Sequence, residues 1–223
     1  YKAIGGYNNV TTIFHEFGHF YNSYCFPESA WNKTTDLDLA EIHSQGLELL
    51  LQLYYDELYG EDMAEGVKAS NLQTMISTVI SGCMEDEFQQ RLYAEEDLTL
   101  EKLNEIYEEL LDEYHLYDGY YIPNSFWAKT WVAIHHTFQA PLYYISYATS
   151  LAAALEIWEI SENDPQAAVD QYLLVQQYST YEPFQATLEA CGLSSPFEET
   201  MIESLAQQLT AYFDGLWQQE ESE

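Results

Sequence analysis

The sequence predicts an all-α protein. Strand signals are scarce along its 223 residues, and apolar residues recur at helical spacing through most of them. Pro, Gly and Asn/Asp punctuate these periodic stretches. With 47% hydrophobic residues, the chain can bury a sizeable core.

A first helix is expected from about Thr11 to Phe26, stopped by Pro27. The stretch PESAWNKTT reads as a loop. It leads to a long second helix, DLDLAEIHSQGLELLLQLYYDELYG, which Gly60 can close. A very long third helix covers roughly Met63 to Glu95, and a fourth runs from about Thr99 to His115. YDGYYIPN reads as a Tyr-rich loop whose turns are fixed by Gly119 and Pro123. A short helix to about Ile134 and another from Pro141 to Glu159 follow. Asp164-Pro165 has the form of an N-cap followed by a first-turn proline; Ser195-Pro196 repeats it, with Glu198 completing a capping box. The last helix, PFEETMIESLAQQLTAYFDGLWQQ, again shows apolar spacing at three and four. Since no repeat or linker divides the chain, residues 1–223 are expected to form a single lobe.

Six Lys+Arg stand against 38 Asp+Glu, a net charge of −32. Such a chain is not expected to bind nucleic acid, which needs cations to neutralise phosphate, or an anionic membrane surface. Cationic or neutral ligands suit it better, and most of the acid excess reads as a solubilising surface. Cys25, Cys83 and Cys191 are sparse, odd in number and without CxxC pairing, which predicts free thiols in a reducing compartment. No apolar run reaches the length of a membrane span, and a cytoplasmic location is expected. The chain opens without Met and reaches its first motif almost at once, so a fragment boundary is expected.

That motif is HEFGH, within TTIFHEFGHFYNSY. On a helix, His15 and His19 project from one face a turn apart, close enough for both imidazoles to reach one tetrahedral zinc. Glu16 lies about 100° around the helix from His15, flanking a metal without ligating it. It is therefore placed to accept a proton from a water attacking a carbonyl. A metzincin continuation is excluded, because Asn22 and Cys25 stand where its Gly and His belong. A glutamate of the following helix is the alternative third ligand. Glu41 in DLAEIHSQGLE is the candidate, with Asp36, Asp38 and Glu28 competing. Ser44 and Glu48 share Glu41's helix face, where they can hold the ligands in orientation.

A third cluster, WVAIHHTFQAPLYYISYATSLAAA, carries His135, His136, Tyr143, Tyr144 and Tyr147 around Pro141. A hydroxyl or protonated imidazole there could donate to an oxyanion; the competing reading is an aromatic helix face in a core, in a chain with 20 tyrosines.

Together, HEFGH, EIHSQGLE and HHTFQAPLYYISYATS resemble three segments of the thimet oligopeptidase and oligoendopeptidase F family of zinc metallopeptidases, in the right order and closest to the bacterial oligoendopeptidase F form. The resemblance spans about Thr11 to Ala154. It implies His15, His19 and Glu41 as ligands of one Zn²⁺ per chain and Glu16 as catalytic base. It also implies that His136, with one or two of Tyr143, Tyr144 and Tyr147, binds the substrate backbone and the oxyanion. Leu142 stands where Phe is expected, and His43 where a smaller residue is expected. The resemblance further implies short unfolded peptides as substrates. Family members are considerably longer, so a mostly helical N-terminal lobe is expected to be missing. Two other readings remain: a zinc-binding helical scaffold without turnover, and a helical interaction module without zinc.

Overall fold

The computed structural model describes residues 6–27, 36–178 and 182–220. The loop expected at 27–35 falls, apart from Pro27, outside them, and Glu28 with it. The described residues form helices and contain no strand, as the sequence predicts. They divide into two compact units, one built from residues up to Leu72 and from Thr149 onward, the other from Gln73–Ala148.

The first unit begins with α1, Tyr7–Cys25, and α2, Leu37–Leu50. Asp36 opens α2 by accepting from the Leu39 N–H, and its other carboxylate oxygen accepts from Phe184 N–H. The helix predicted to run on to Gly60 breaks instead. Leu51–Tyr54 winds as a 3₁₀ turn and Tyr55–Tyr59, α3, resumes before Gly60 at φ 82. The tighter turn redirects the buried face. Leu39, Ile42 and Leu50 pack with Ala153, Ile157, Tyr172 and Leu188, whereas Leu51 and Tyr55 pack with Ala64, Val10 and Phe14.

The next helix, α4, is Glu61–Ala94, close to the range predicted. α5, Leu100–Tyr114, is capped by Thr99, and His115 closes it in the left-handed region. The short helices α6, Asn124–Trp127, and α7, His136–Gln139, bracket a 3₁₀ turn at Thr130–Ala133. The helix predicted from Pro141 starts later, as α8, Ile145–Asn163. Leu142 has φ 63, which no right-handed helix accommodates. Asp164 and Pro165 open α9, Pro165–Gln176, with the Asp164 side chain accepting from Gln166 and Ala167 N–H as predicted. Residues 184–191, for which no helix was predicted, form α10, Phe184–Cys191. Ser195 does not cap the last helix, α11, Glu199–Glu220. Its hydroxyl accepts from Phe197 N–H to close a turn, while Ser194 donates twice to Glu156 and holds the segment against α8.

The core of the second unit joins Met84 and Phe88 of α4 to Ile106, Tyr107, Leu110 and Leu111 of α5 and to Trp131. Beside it Glu85 is fully buried, with both carboxylate oxygens unpartnered. Burial pushes this carboxyl up to about 7 from its ordinary 4.5. The folded state therefore favours the neutral acid, a contribution fully present below about pH 4.5 and lost as pH rises through about 7. Stability should fall by roughly 3 kcal/mol between pH 5 and pH 8 on account of this group. Glu85→Met should flatten that dependence and raise the melting temperature at pH 8 more than at pH 5, as calorimetry at the two pH values would show.

Candidate metal centre

Gly18 allows α1 and α2 to meet closely. A Cβ built on it would lie 2.2 Å from the His43 carbonyl oxygen and 2.7 Å from the Ser44 Cα, so only glycine permits this backbone approach. Gly46, farther along α2, lies against the Tyr172 ring, and the Tyr172 hydroxyl donates to the His43 carbonyl at 2.9 Å. Asn22 Nδ2 donates to the Gln176 carbonyl, tying α1 to α9. Residues 172 and 176 had no signal in the sequence as supports of the site, because their role depends on where α9 packs.

This packing brings His15, His19 and Glu41 together, with one ligand atom from each within 4.8 Å of the other two. His15 Nε2 and His19 Nε2 lie 3.4 and 3.6 Å from Glu41 Oε2. Ligands at zinc-bond length on a tetrahedron are about 3.3–3.5 Å apart, so the donor set fits Zn²⁺ in chemistry and spacing. Glu41 is buried, the histidines half-buried and Glu16 exposed on the same helix. Ser44 Oγ donates to Glu41 Oε2 at 2.9 Å, and Glu48 Oε2 lies 3.4 Å from His15 Nδ1. With its proton on Nδ1, His15 keeps Nε2 free for a metal.

Of the competing acids, Asp36 is engaged in capping α2 and α10, and Asp38 accepts from the Thr149 hydroxyl. Electrostatics separates the two imidazoles. Burial pulls His15 down, but the Glu48 hydrogen bond and the charges of Glu41, Glu48 and Glu16 outweigh it and raise its pKa. His19 is lowered, by burial and then by His15, against the pull of Glu41 and Glu16. His43 is buried and pushed down to about 4 by burial and by His19. It is thus a neutral core imidazole, not an exposed lining group.

In the second unit His136 collects the three tyrosines. Its ring centroid lies 5.5, 5.3 and 5.5 Å from those of Tyr143, Tyr144 and Tyr147. Tyr147 Oη is 3.4 Å from His136 Nε2. Burial and then the Glu85 charge raise the Tyr144 hydroxyl, which a hydrogen bond with Ser81 partly offsets; it stays protonated and a donor. His135 is exposed, its ring 4.2 Å from that of His136.

Two helical histidines and a buried glutamate form a donor set of the kind a metallopeptidase uses, and Glu16 stands exposed beside it. Residues 6–205 match the family model described as "Peptidase family M3", and the chain belongs to that family. Three solved structures share the fold. "PZ peptidase A with inhibitor 2" is similar at TM-score 0.83 and 23% identity, over 96% of this chain and 38% of that one. A structure described as an oligoendopeptidase F gives 0.81 and 21%, over 96% and 38%. A structure described as that of an oligoendopeptidase F from Bacillus anthracis str. Ames gives 0.77 and 22%, over 96% and 36%. This chain thus spans little more than a third of the length of each. No curated protein matches it significantly. Among the described residues no helix is long and apolar enough to cross a membrane.

Proposed function

We propose that this chain is the catalytic lobe of a longer zinc-dependent oligopeptidase that hydrolyses peptide bonds in short, unfolded peptides. The observation that carries the reading is the convergence of His15, His19 and Glu41 within 4.8 Å in a family M3 chain. These three residues hold the metal, while Ser44 and Glu48 fix the orientation of Glu41 and His15 through the contacts described above. Bound there, Zn²⁺ supplies Lewis acidity to the scissile carbonyl and makes water more acidic. Glu16 accepts the proton of the attacking water and passes it to the leaving amine. His136, Tyr143, Tyr144 and Tyr147 serve the substrate backbone and the oxyanion as hydrogen-bond donors. An N-terminal lobe of the same protein confines the substrate.

Zinc per chain, measured on metal-replete wild type, His15→Ala and Glu41→Gln, tests this reading. Near one zinc in the wild type and a loss of more than about tenfold in affinity in each variant is the expected result. Full retention in Glu41→Gln would remove Glu41 from the ligand set; a wild type without zinc would overturn the metallopeptidase reading.

A further inference from the structure

The segment joining His136 to Tyr147 has to reverse within a few residues, and it does so against one stripe of α4. At one end of the stripe Gly82 admits Ala148, whose Cβ would lie 2.7 Å from a Cβ at that glycine. Ser81 beside it, and Glu85 one turn on, act on Tyr144. At the other end is Gln89, which is 1% exposed and the most specific contact of the three. Its Oε1 accepts the Leu142 N–H at 2.8 Å, and its Nε2 donates to the Glu85 carbonyl at 3.3 Å. One amide orientation satisfies both bonds, so each backbone partner fixes the other.

Leu142 is where such a hold is needed. Together with His115 it is one of two non-glycine residues at positive φ among those described, and unlike His115 it does not cap a helix. The turn is closed by Tyr143 N–H, which donates to the Ala140 carbonyl at 3.2 Å. Of its two central residues Pro141 has no N–H, leaving that of Leu142 for Gln89. A left-handed leucine persists only where its surroundings impose it. The direction of the peptide after Leu142 in turn sets where Tyr143 and Tyr144 emerge relative to His136.

We propose that Gln89 is a positioning residue for the peptidase site, holding Leu142 in the left-handed conformation that presents Tyr143 and Tyr144 beside His136. The role rests on the peptidase reading above. Gln89 touches no substrate; it acts through the turn.

The test uses the peptidase that carries this chain, with Gln89→Leu alone and combined with Leu142→Gly. Three quantities are measured: exchange of the Leu142 amide proton, kcat/KM on a short peptide, and bound zinc. Gln89→Leu should speed Leu142 exchange at least about tenfold, since the amide loses its acceptor. It should lower kcat/KM by about 10- to 100-fold at unchanged zinc content, the usual cost of a site displaced by an ångström or less. Leu142→Gly, which makes positive φ costless, should recover several-fold of that loss in the Gln89→Leu background. A merely structural Gln89 would give no such recovery. Unchanged exchange, or an activity loss that Leu142→Gly does not relieve, overturns the assignment. A wild type that binds zinc but cleaves no peptide overturns the peptidase reading instead, and Leu142 exchange still judges the clamp.

Discussion

Glu16→Gln is expected to lower kcat/KM on a short peptide by about 10³-fold while leaving bound zinc near one per chain. A positioned general base contributes about 10²–10⁴-fold, and the amide cannot take the proton. Glu16 is exposed on α1 beside the donor set, not part of it, so its replacement removes no ligand atom. Its charge does raise both imidazoles, so the variant should also bind zinc at slightly lower pH. Paired measurement of peptide turnover and zinc content separates the outcomes. Parallel loss of metal and activity would make Glu16 structural. A wild type already as inactive as the variant would leave a scaffold that holds zinc without turnover, and a variant as active as a working wild type would remove the role of base from Glu16.

Gly18→Ala should be the most damaging glycine-to-alanine substitution among the described residues. The added methyl would fall on the backbone of α2, at the His43 carbonyl and the Ser44 Cα, where no side-chain rotation relieves it. The two helices must separate, at a cost of about 3 kcal/mol or more. Separation also draws His15 and His19 away from Glu41, so zinc affinity should fall with the melting temperature. Gly215→Ala is the control. Nothing lies within 4 Å of a Cβ there, and alanine in a helix should stabilise by up to about 1 kcal/mol. Calorimetry with zinc analysis on both variants checks the pair; full zinc and an unchanged melting temperature in Gly18→Ala would refute the close-approach argument.

Much of this was legible in the sequence, for identifiable reasons. Helix periodicity located α1, α4, α5 and α11 to within a few residues, because their buried faces recur at the spacing of one helix. The failures fall where packing overrides pattern. Residues 36–60 carry unbroken apolar periodicity, yet two different cores claim its halves and a 3₁₀ turn intervenes. Pro141 resembles a helix start, but Leu142 beside it adopts a conformation that sequence gives no reason to expect of leucine. Spacing alone singled out His15 and His19, which sit one turn apart, whereas Glu41 shared its candidacy with other acids until the resemblance favoured it. Tyr172, Gln89 and the double role of Asp36 could not be read, since each depends on a partner 53 to 148 positions away.

That last dependence bears on what can be cut out and reused. α2 is buried on nearly all its faces, and much of what covers it comes from α8, α9 and α10, more than a hundred residues downstream. The Asp36 carboxylate that starts the helix is shared with the first N–H of α10. A peptide containing only HEFGH and EIHSQGLE would hold every proposed ligand and still lack the walls that order them. Unlike a zinc finger, whose few dozen residues fold around their own ion, this centre is not a transplantable cassette. The residues that order it come from both stretches of the first unit.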